Sequence, residues 1–222
     1  MNKILVVAVH PDDETLGCGG SLLKYKANGD EIHWLIITEA KVIDGFSQDS
    51  IDIRTQEIKK VKKAYNFDSV VNLKLPTMRV DELSISELIM QISKVIKDIQ
   101  PNIIFLPFKG DVHSDHRKIF EASYSCTKSF RYPFIKKIYM METLSETEFA
   151  PSTKEDSFIP NVFVDVSGFF EKKIEIIKLF ESEIDEHPFP RSEINLRALA
   201  TLRGATCGCE YAESFILLKE IC

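Results

Sequence analysis

Ionisable side chains are concentrated in the short segment AVHPDDETLGCGG, residues 8–20. His10 and three carboxylates, of which Asp12 and Asp13 are adjacent, lie within five positions and directly follow an apolar run. Imidazole nitrogens and carboxylate oxygens bind divalent metals, and a carboxylate can also act as a general base. Because neighbouring residues in an extended turn point in different directions, one aspartate can bind a metal while the other faces its water.

A second cluster, DVHSDH, occupies residues 111–116 and contributes His113, Asp115 and His116. Two imidazoles and one carboxylate with an open fourth position are how catalytic zinc is held, and a water in that position has its pKa lowered to about 7. The two histidines are three positions apart and share one side of a helix that begins near them. One can therefore bind a metal while the other, held by Asp115, stabilises an oxyanion or delivers a proton.

The elements that must position these clusters follow an alternating pattern of apolar β-rich runs and helical periods, which predicts a parallel sheet covered by helices. Predicted strands are 3–9, 31–38, 69–75, 103–107, 138–142 and 161–166, with a last apolar run at 215–218; predicted helices are 16–27, 51–65, 85–99, 169–181 and 192–202. The expected fold class is α/β, a Rossmann-like three-layer sandwich with a mostly parallel sheet and helices on both faces.

Each cluster directly follows a predicted strand: the first cluster follows the first strand and the second cluster follows the fourth. In a doubly wound sheet the carboxyl ends of the strands share one edge, and ligands bind where the strand order reverses. The first and fourth strands commonly flank that point. We therefore expect the two clusters to face each other across it.

Length and composition favour one domain over residues 1–222, in which the polar stretch 143–158 is predicted to be a mobile loop or lid. A net charge of −6 with scattered lysines argues against nucleic acid or a membrane as a partner. The five cysteines form neither a disulfide framework nor paired zinc knuckles, so we expect reduced thiols and a cytoplasmic location. The sequence leaves the oligomeric state open, including a homo-oligomer.

Three segments, HPDDETLGCGG, HSDH and RGATCGCEYAESF, together resemble the LmbE-like, or PIG-L type, de-N-acetylase superfamily over almost the whole chain. The resemblance implies a Rossmann-like fold with one zinc ion per chain and removal of acetyl from an N-acetylated sugar. It implies His10, Asp13 and His116 as the metal ligands. It also implies Asp12 as general base and His113, oriented by Asp115, beside the tetrahedral intermediate.

Under this resemblance, zinc and a protonated His113 hold the oxyanion while Asp12 takes the proton of the attacking water. Arg54, on the second predicted helix, also fits the family and is expected to bind the sugar, because a guanidinium makes bidentate hydrogen bonds well. Its alternative role is a helix-surface salt bridge with Glu57 or Asp52. The chain departs from many relatives at Thr77, where they have an aspartate after the proline, in a segment that touches substrate.

Further residues are interpreted as structural. We expect Gly17, Gly19 and Gly20 to allow close packing of a helix against the sheet, because GCGG lacks the spacing of a dinucleotide site. We expect support for the site, rather than direct catalysis, from Arg203, Tyr211 and Glu213 of the terminal motif.

Two other functions stay open at this stage. Two histidines and a carboxylate also form the facial triad of non-haem iron oxygenases, and the same ligands accept iron, cobalt or manganese. A non-catalytic sugar-binding or metal-binding protein is the third alternative. The expected partner is an N-acetylated sugar or glycoconjugate, whose remaining part the sequence does not specify.

Overall fold

The computed structural model describes all residues, 1–222. Its strands are β1 (Lys3–Ala8), β2 (Glu31–Glu39), β3 (Ser69–Pro76), β4 (Ile103–Leu106), β5 (Lys137–Met141), β6 (Val162–Asp165) and β7 (Ala212–Glu220). Its helices are α1 (Asp13–Ala27), α2 (Gln48–Tyr65), α3 (Ile85–Ile99), α4 (Ser114–Ser125), α5 (Phe170–Ile177) and α6 (Glu193–Cys207). No helix combines the length and the apolar character needed to cross a membrane.

All seven strands form one sheet in the order β3-β2-β1-β4-β5-β7-β6. The first five strands are parallel, and β7 runs antiparallel to both of its neighbours. The chain proceeds from β1 to one edge of the sheet and then returns to β4, so the strand order reverses between β1 and β4. The predicted fold class and the predicted pairing of the first and fourth strands are therefore confirmed.

Two apolar layers cover the two faces of this sheet. Alternate residues of β1 face opposite layers: Ile4 and Val6 belong to one, whereas Leu5 and Val7 belong to the other. The first layer packs against α1, α2, α5 and α6, and the second packs against α3 and α4. Because β1 is buried on both faces, it is apolar throughout, as expected for a central parallel strand.

Helix boundaries follow local capping. Helix α3 spans the predicted residues because Ser84 and Glu87 form a capping box at its start. Helix α2 begins earlier than predicted because the Ser47 side chain accepts a hydrogen bond from the Ser50 N–H. Helix α6 continues beyond residue 202 to Cys207, and the left-handed conformation of the next residue, Gly208, ends it. Helix α5 is shorter than predicted: it ends at Ile177, and a separate 3₁₀ turn follows at Glu181–Glu183.

Helix α1 contains a break at Cys18, where the backbone is not helical (φ −148°, ψ 20°). The break leaves backbone N–H groups without helical acceptors, and the Glu213 carboxylate accepts from those of Gly20 and Ser21 at 2.8 and 2.7 Å. Buried Lys173 contacts the same carboxylate at 2.7 Å. Glu213 thus gives the structural support that the terminal motif predicts.

The glycines of α1 allow the close packing that the sequence indicates. A Cβ atom at Gly20 would lie 2.8 Å from Cβ of Val166, and one at Gly17 would lie 2.9 Å from Cβ of Met141. Real Cβ atoms do not approach so closely, because the atoms would overlap. Helix α1 can therefore lie this close to the sheet only with glycine at these positions. The contact also fixes the position of the turn between β1 and α1.

Candidate active site

An open cleft of about 340 Å³ lies at the carboxyl edge of the sheet, above the point where the strand order reverses. Its walls come from the segments that follow β1, β2 and β3, from the first turns of α2, and from the residue that caps α4. Charged residues that line it are Asp12, Asp13, Glu39, Arg54, Glu146, Glu183 and Arg191, together with His10 and His113. The expectation that both sequence clusters meet at this edge is confirmed by their shared cleft.

The donor atoms of His10, Asp13 and His116 form one compact group, all within 4.8 Å of one another. The Asp13 Oδ2 atom lies 3.4 Å from the His116 Nε2 atom, and the His10 and His116 ring centroids are 5.3 Å apart. The backbone N–H of His10 donates to Asp13 Oδ2 at 2.9 Å, which orients that carboxylate. The turn after β1 and the first turn of α4 therefore bring their imidazole and carboxylate donor atoms together.

The bonding of His116 shows that this group fits a divalent cation. Its Nδ1 atom lies 2.8 Å from Asp111 Oδ2, whereas its Nε2 atom is buried and has no hydrogen-bond partner. A carboxylate on the far ring nitrogen is typical of histidines that bind metals. Although burial alone would lower the pKa of His116, the Asp13 and Asp111 carboxylates outweigh it and raise that pKa to about 9. The same carboxylates would stabilise a metal cation.

A second group of possible donors contains His10, His113 and Asp115. The Asp115 carboxylate already accepts hydrogen bonds from the backbone N–H groups of Met78, at 2.8 Å, and Val80, at 3.2 Å. It therefore fixes the segment after β3 that contains Thr77 and lines the cleft. Both Asp115 oxygens already accept backbone hydrogen bonds, whereas the group formed by His10, Asp13 and His116 contains a buried ring nitrogen without a partner, so it is the better metal site.

Asp115 contacts His113 through its main chain and not through its carboxylate. His113 caps α4, and its Nδ1 atom accepts a hydrogen bond from the backbone N–H of Asp115 at 3.1 Å. The Asp115 carboxylate instead lies 3.4 Å from the Nε2 atom of His10. Asp115 thus holds His113 through its main chain, because the first turn of a helix directs its free N–H groups toward the capping side chain.

The charge of His113 also differs from the expectation of a protonated ring. Burial, together with the nearby His10, lowers the pKa of His113 to about 4. Because Nδ1 accepts a hydrogen bond, the proton of the neutral ring must be on Nε2. His113 is therefore a neutral hydrogen-bond donor, and it lines the cleft.

Asp12 combines burial with a strained backbone. Its φ of 145° and ψ of −27° lie in a region that non-glycine residues rarely adopt, at a cost on the order of 1–3 kcal/mol. Burial and the adjacent Asp13 carboxylate raise the pKa of Asp12 to about 8, against the opposing effect of Arg191, whose Nη1 atom is 2.9 Å from Asp12 Oδ2. A cation bound beside Asp12 would also oppose this rise.

Arg54 lines the cleft, but protein groups already surround its guanidinium. It donates to the carbonyl oxygen of Pro11 at 3.0 Å and to Glu183, and its Nε atom lies 3.4 Å from Glu57. The predicted alternative, a salt bridge with Glu57, is therefore present. Sugar binding by Arg54 stays a prediction, and it requires that a substrate share these contacts.

Four acidic or basic residues of the cleft were missed by sequence reasoning: Glu39, Glu146, Glu183 and Arg191. Glu39 ends β2, Glu183 lies in the 3₁₀ turn, and the other two lie outside helices and strands, so no motif indicated them. Burial raises the pKa of Glu146 to about 7. Asp111 was within the second cluster, but its contact with His116 depends on how the chain enters α4.

Fold and site together define an α/β protein with a candidate metal site at its topological switch point. The chain belongs to the PIG-L family, described as GlcNAc-PI de-N-acetylase, which matches residues 5–127. A diacetylchitobiose deacetylase from Thermococcus kodakarensis is 26% identical over 236 residues, which cover 100% of this chain and 85% of that protein. The sequence resemblance to this family is therefore confirmed.

Solved structures share the fold. The conserved protein TT1542 from Thermus thermophilus has a TM-score of 0.79 at 22% identity and covers 100% of this chain and 97% of its own. The N,N'-diacetylchitobiose deacetylase from Pyrococcus horikoshii has a TM-score of 0.77 at 21% identity, covering 98% and 84%. The 4-carboxy-2-hydroxymuconate hydratase GalB from Pseudomonas putida KT2440 reaches 0.75 at 15%, covering 100% and 98%. The fold alone therefore does not fix the reaction.

Replacing Asp111 with asparagine tests the metal site from outside the ligand set. We expect metal affinity to fall about 10-fold to 100-fold, because the His116 Nδ1 atom loses its carboxylate partner while the shape of the side chain is kept. Competition with a chromophoric chelator measures the affinity. Asp98→Asn, on the exposed face of α3, is the control, and unchanged affinity in Asp111→Asn would contradict the supporting role of the Asp111 carboxylate.

Proposed function

We propose that this protein is a divalent-metal-dependent hydrolase that removes acetyl from an N-acetylated amino sugar or its conjugate. The observation that carries the proposal is the cluster of His10, Asp13 and His116 donor atoms within 4.8 Å, with Asp12 beside it in an open cleft. The deacetylase names of the relatives support a hydrolase rather than an iron oxygenase.

Zinc is the proposed metal because two imidazoles and one carboxylate with an open position suit catalytic zinc, although iron, cobalt or manganese fits the same ligands. When bound, the cation supplies Lewis-acid polarisation of the acetyl carbonyl and acidification of water. The protein must supply what remains: a base for the proton, a donor for the carbonyl oxygen and a proton for the departing amine.

Asp12 is the proposed general base. Its carboxylate lies beside the metal ligand Asp13 and accepts the proton released as water attacks the acetyl carbon. His113 donates its Nε2–H to the carbonyl oxygen, which gains negative charge in the transition state. The bond between the Asp115 N–H and His113 Nδ1 supports this arrangement, because it fixes the proton on the side of the ring away from the helix.

The departing amine must receive a proton before the bond to the acetyl carbon breaks. We assign this proton to Asp12, which holds it after the first step. His113 is a neutral donor, and loss of its only ring proton would leave an imidazolate, so a hydrogen bond is its better role. The two residues therefore have separate tasks: Asp12 moves the proton and His113 stabilises the oxygen.

The test is release of free primary amine and acetate from a panel that contains N-acetylglucosamine, diacetylchitobiose and N-acetylglucosamine 1-phosphate, with zinc-loaded protein. We expect equal amounts of amine and acetate from at least one compound, at the same rate with and without oxygen. Loss of the reaction under anaerobic conditions would indicate an oxygenase. No release from any compound by protein with bound zinc would contradict the proposal.

A further inference from the structure

Four side chains at the wall of the cleft form a closed series of contacts around the residue proposed as general base. Arg191 Nη1 lies 2.9 Å from Asp12 Oδ2, and its Nη2 lies 2.9 Å from Glu183 Oε2. The other oxygen of Glu183 accepts from Arg54 Nη2. Arg54 closes the series, because it donates at 3.0 Å to the carbonyl oxygen of Pro11, the residue before Asp12. Arg191 and Arg54 therefore both contact the dipeptide Pro11–Asp12.

That dipeptide requires support. Asp12 has a φ of 145°, and its carboxylate is buried in a run of three consecutive acidic residues with Asp13 and Glu14. Repulsion from the adjacent carboxylate favours rotation of the Asp12 side chain away from the ligand Asp13. A charged partner that holds the carboxylate in place is needed to oppose that rotation.

Arg191 is the one basic side chain in contact with the Asp12 carboxylate. It comes from the segment immediately before Ser192, the residue that caps α6, and its guanidinium lies 5.5 Å from the centre of the Phe189 ring. Contact with Glu183 fixes a second nitrogen, so the planar group is held at two points. A partner restrained in this way can fix the position of the carboxylate that it binds.

We propose that Arg191 is a positioning residue that holds the Asp12 carboxylate in its reactive place, and that Glu183 links Arg191 to Arg54. This inference rests on the proposed function, since it assigns a partner to the proposed base. Arg191 acts through Asp12 and not by contact with the reacting atoms. A lysine at this position keeps the charge but cannot reach Asp12 and Glu183 with two fixed nitrogens, so it replaces Arg191 only in part.

A competing role for Arg191 is direct substrate binding. Its Nε atom is buried and has no partner within the protein, and the residue lines the cleft. The two roles differ in kinetics. Loss of a substrate contact made equally in the ground state and the transition state raises KM and leaves kcat unchanged, whereas displacement of the base lowers kcat.

The experiment compares Arg191→Met and Arg191→Lys with the wild-type enzyme, all zinc-loaded, on a compound that the wild type deacetylates. We expect Arg191→Met to lower kcat about 100-fold, the effect of a misplacement of about 1 Å in a reacting group, with KM changed less than about threefold. Arg191→Lys should be intermediate. Bound zinc should stay at the wild-type amount, because Arg191 contacts no metal ligand side chain.

A chemical rescue separates positioning from a general structural role. Guanidinium ions at low millimolar concentration should restore part of kcat in Arg191→Ala, because a free guanidinium can occupy the vacated place beside Asp12. Arg197→Ala is the matched control: Arg197 lies on α6, contacts Glu171 and Glu193, and does not line the cleft. Its kcat should stay at the wild-type value and should not respond to guanidinium.

The outcomes distinguish failure of the proposed function from failure of the positioning role of Arg191. If the wild type deacetylates no compound, the proposed function fails. If the wild type is active and Arg191→Met keeps its kcat, or shows only a raised KM, the positioning role is wrong. Should Arg191→Met fail to fold, Arg191→Lys and Glu183→Gln remain as tests, and kcat values equal to wild type in both would overturn the inference.

Discussion

Asp12→Asn is expected to lower kcat by about 10³-fold while the protein keeps its bound metal. Asparagine has nearly the same size and can still accept the hydrogen bond from Arg191, so the strained turn should persist. It cannot take a proton from water, and the first step of the proposed reaction therefore loses its base. Initial rates of amine release measure kcat, and elemental analysis of the purified variant measures the metal.

The control for this substitution is Asp98→Asn, in which the same change is made on the exposed face of α3. It should match the wild type in rate and in metal content. An Asp12→Asn variant that retained more than about a tenth of the activity would exclude Asp12 as the base. Loss of metal from this variant would instead place Asp12 among the ligands, and the roles of Asp12 and Asp13 would have to be exchanged.

The second large effect is expected for His116→Ala, which should lose both metal and activity. Two of the three donors remain, and a metal held by His10 and Asp13 alone is expected to dissociate during dialysis against a weak chelator. The buried Asp111 carboxylate also loses the imidazole that it contacts at 2.8 Å. We therefore expect a lower free energy of unfolding as well, because a buried carboxylate is left without its partner.

Metal content after dialysis and the rate of amine release check this prediction together. His116→Gln keeps much of the side-chain volume and serves as a second variant if the alanine variant is unstable. His187→Ala changes an exposed histidine and should keep both metal and activity. A His116→Ala protein that was free of metal and yet active would overturn the assignment of the site.

Local sequence patterns predicted the parts of the site that a strand end or a helix start determines. His10 and Asp13 follow a buried strand, and His116 lies in the first turn of a helix, so strand order alone brought them to one edge. The capping box likewise fixed the start of α3. In these cases the strand end, helix start or capping group that positions a residue lies within a few residues of it along the chain.

Other contacts of the site depend on segments that are distant in sequence. Arg191 approaches Asp12 from the other end of the chain, and no periodic pattern or motif in its loop indicates that partner. Asp115 was expected to orient His113, but the sequence did not indicate that its main chain makes the contact, which follows because the helix starts between them. The lowered pKa of His113 was not predicted for a related reason, since burial beside His10 cannot be read from HSDH alone.

The break in α1 connects the order of synthesis to the formation of the site. Helix α1 begins with the proposed ligand Asp13, yet the N–H groups exposed at its break are bound by Glu213, on the last strand. A nascent chain cannot make these bonds until residue 213 has left the ribosome. The first helix of the native protein therefore depends on a carboxylate that only its last strand provides, so the two ends of the chain are joined at the helix that begins with Asp13.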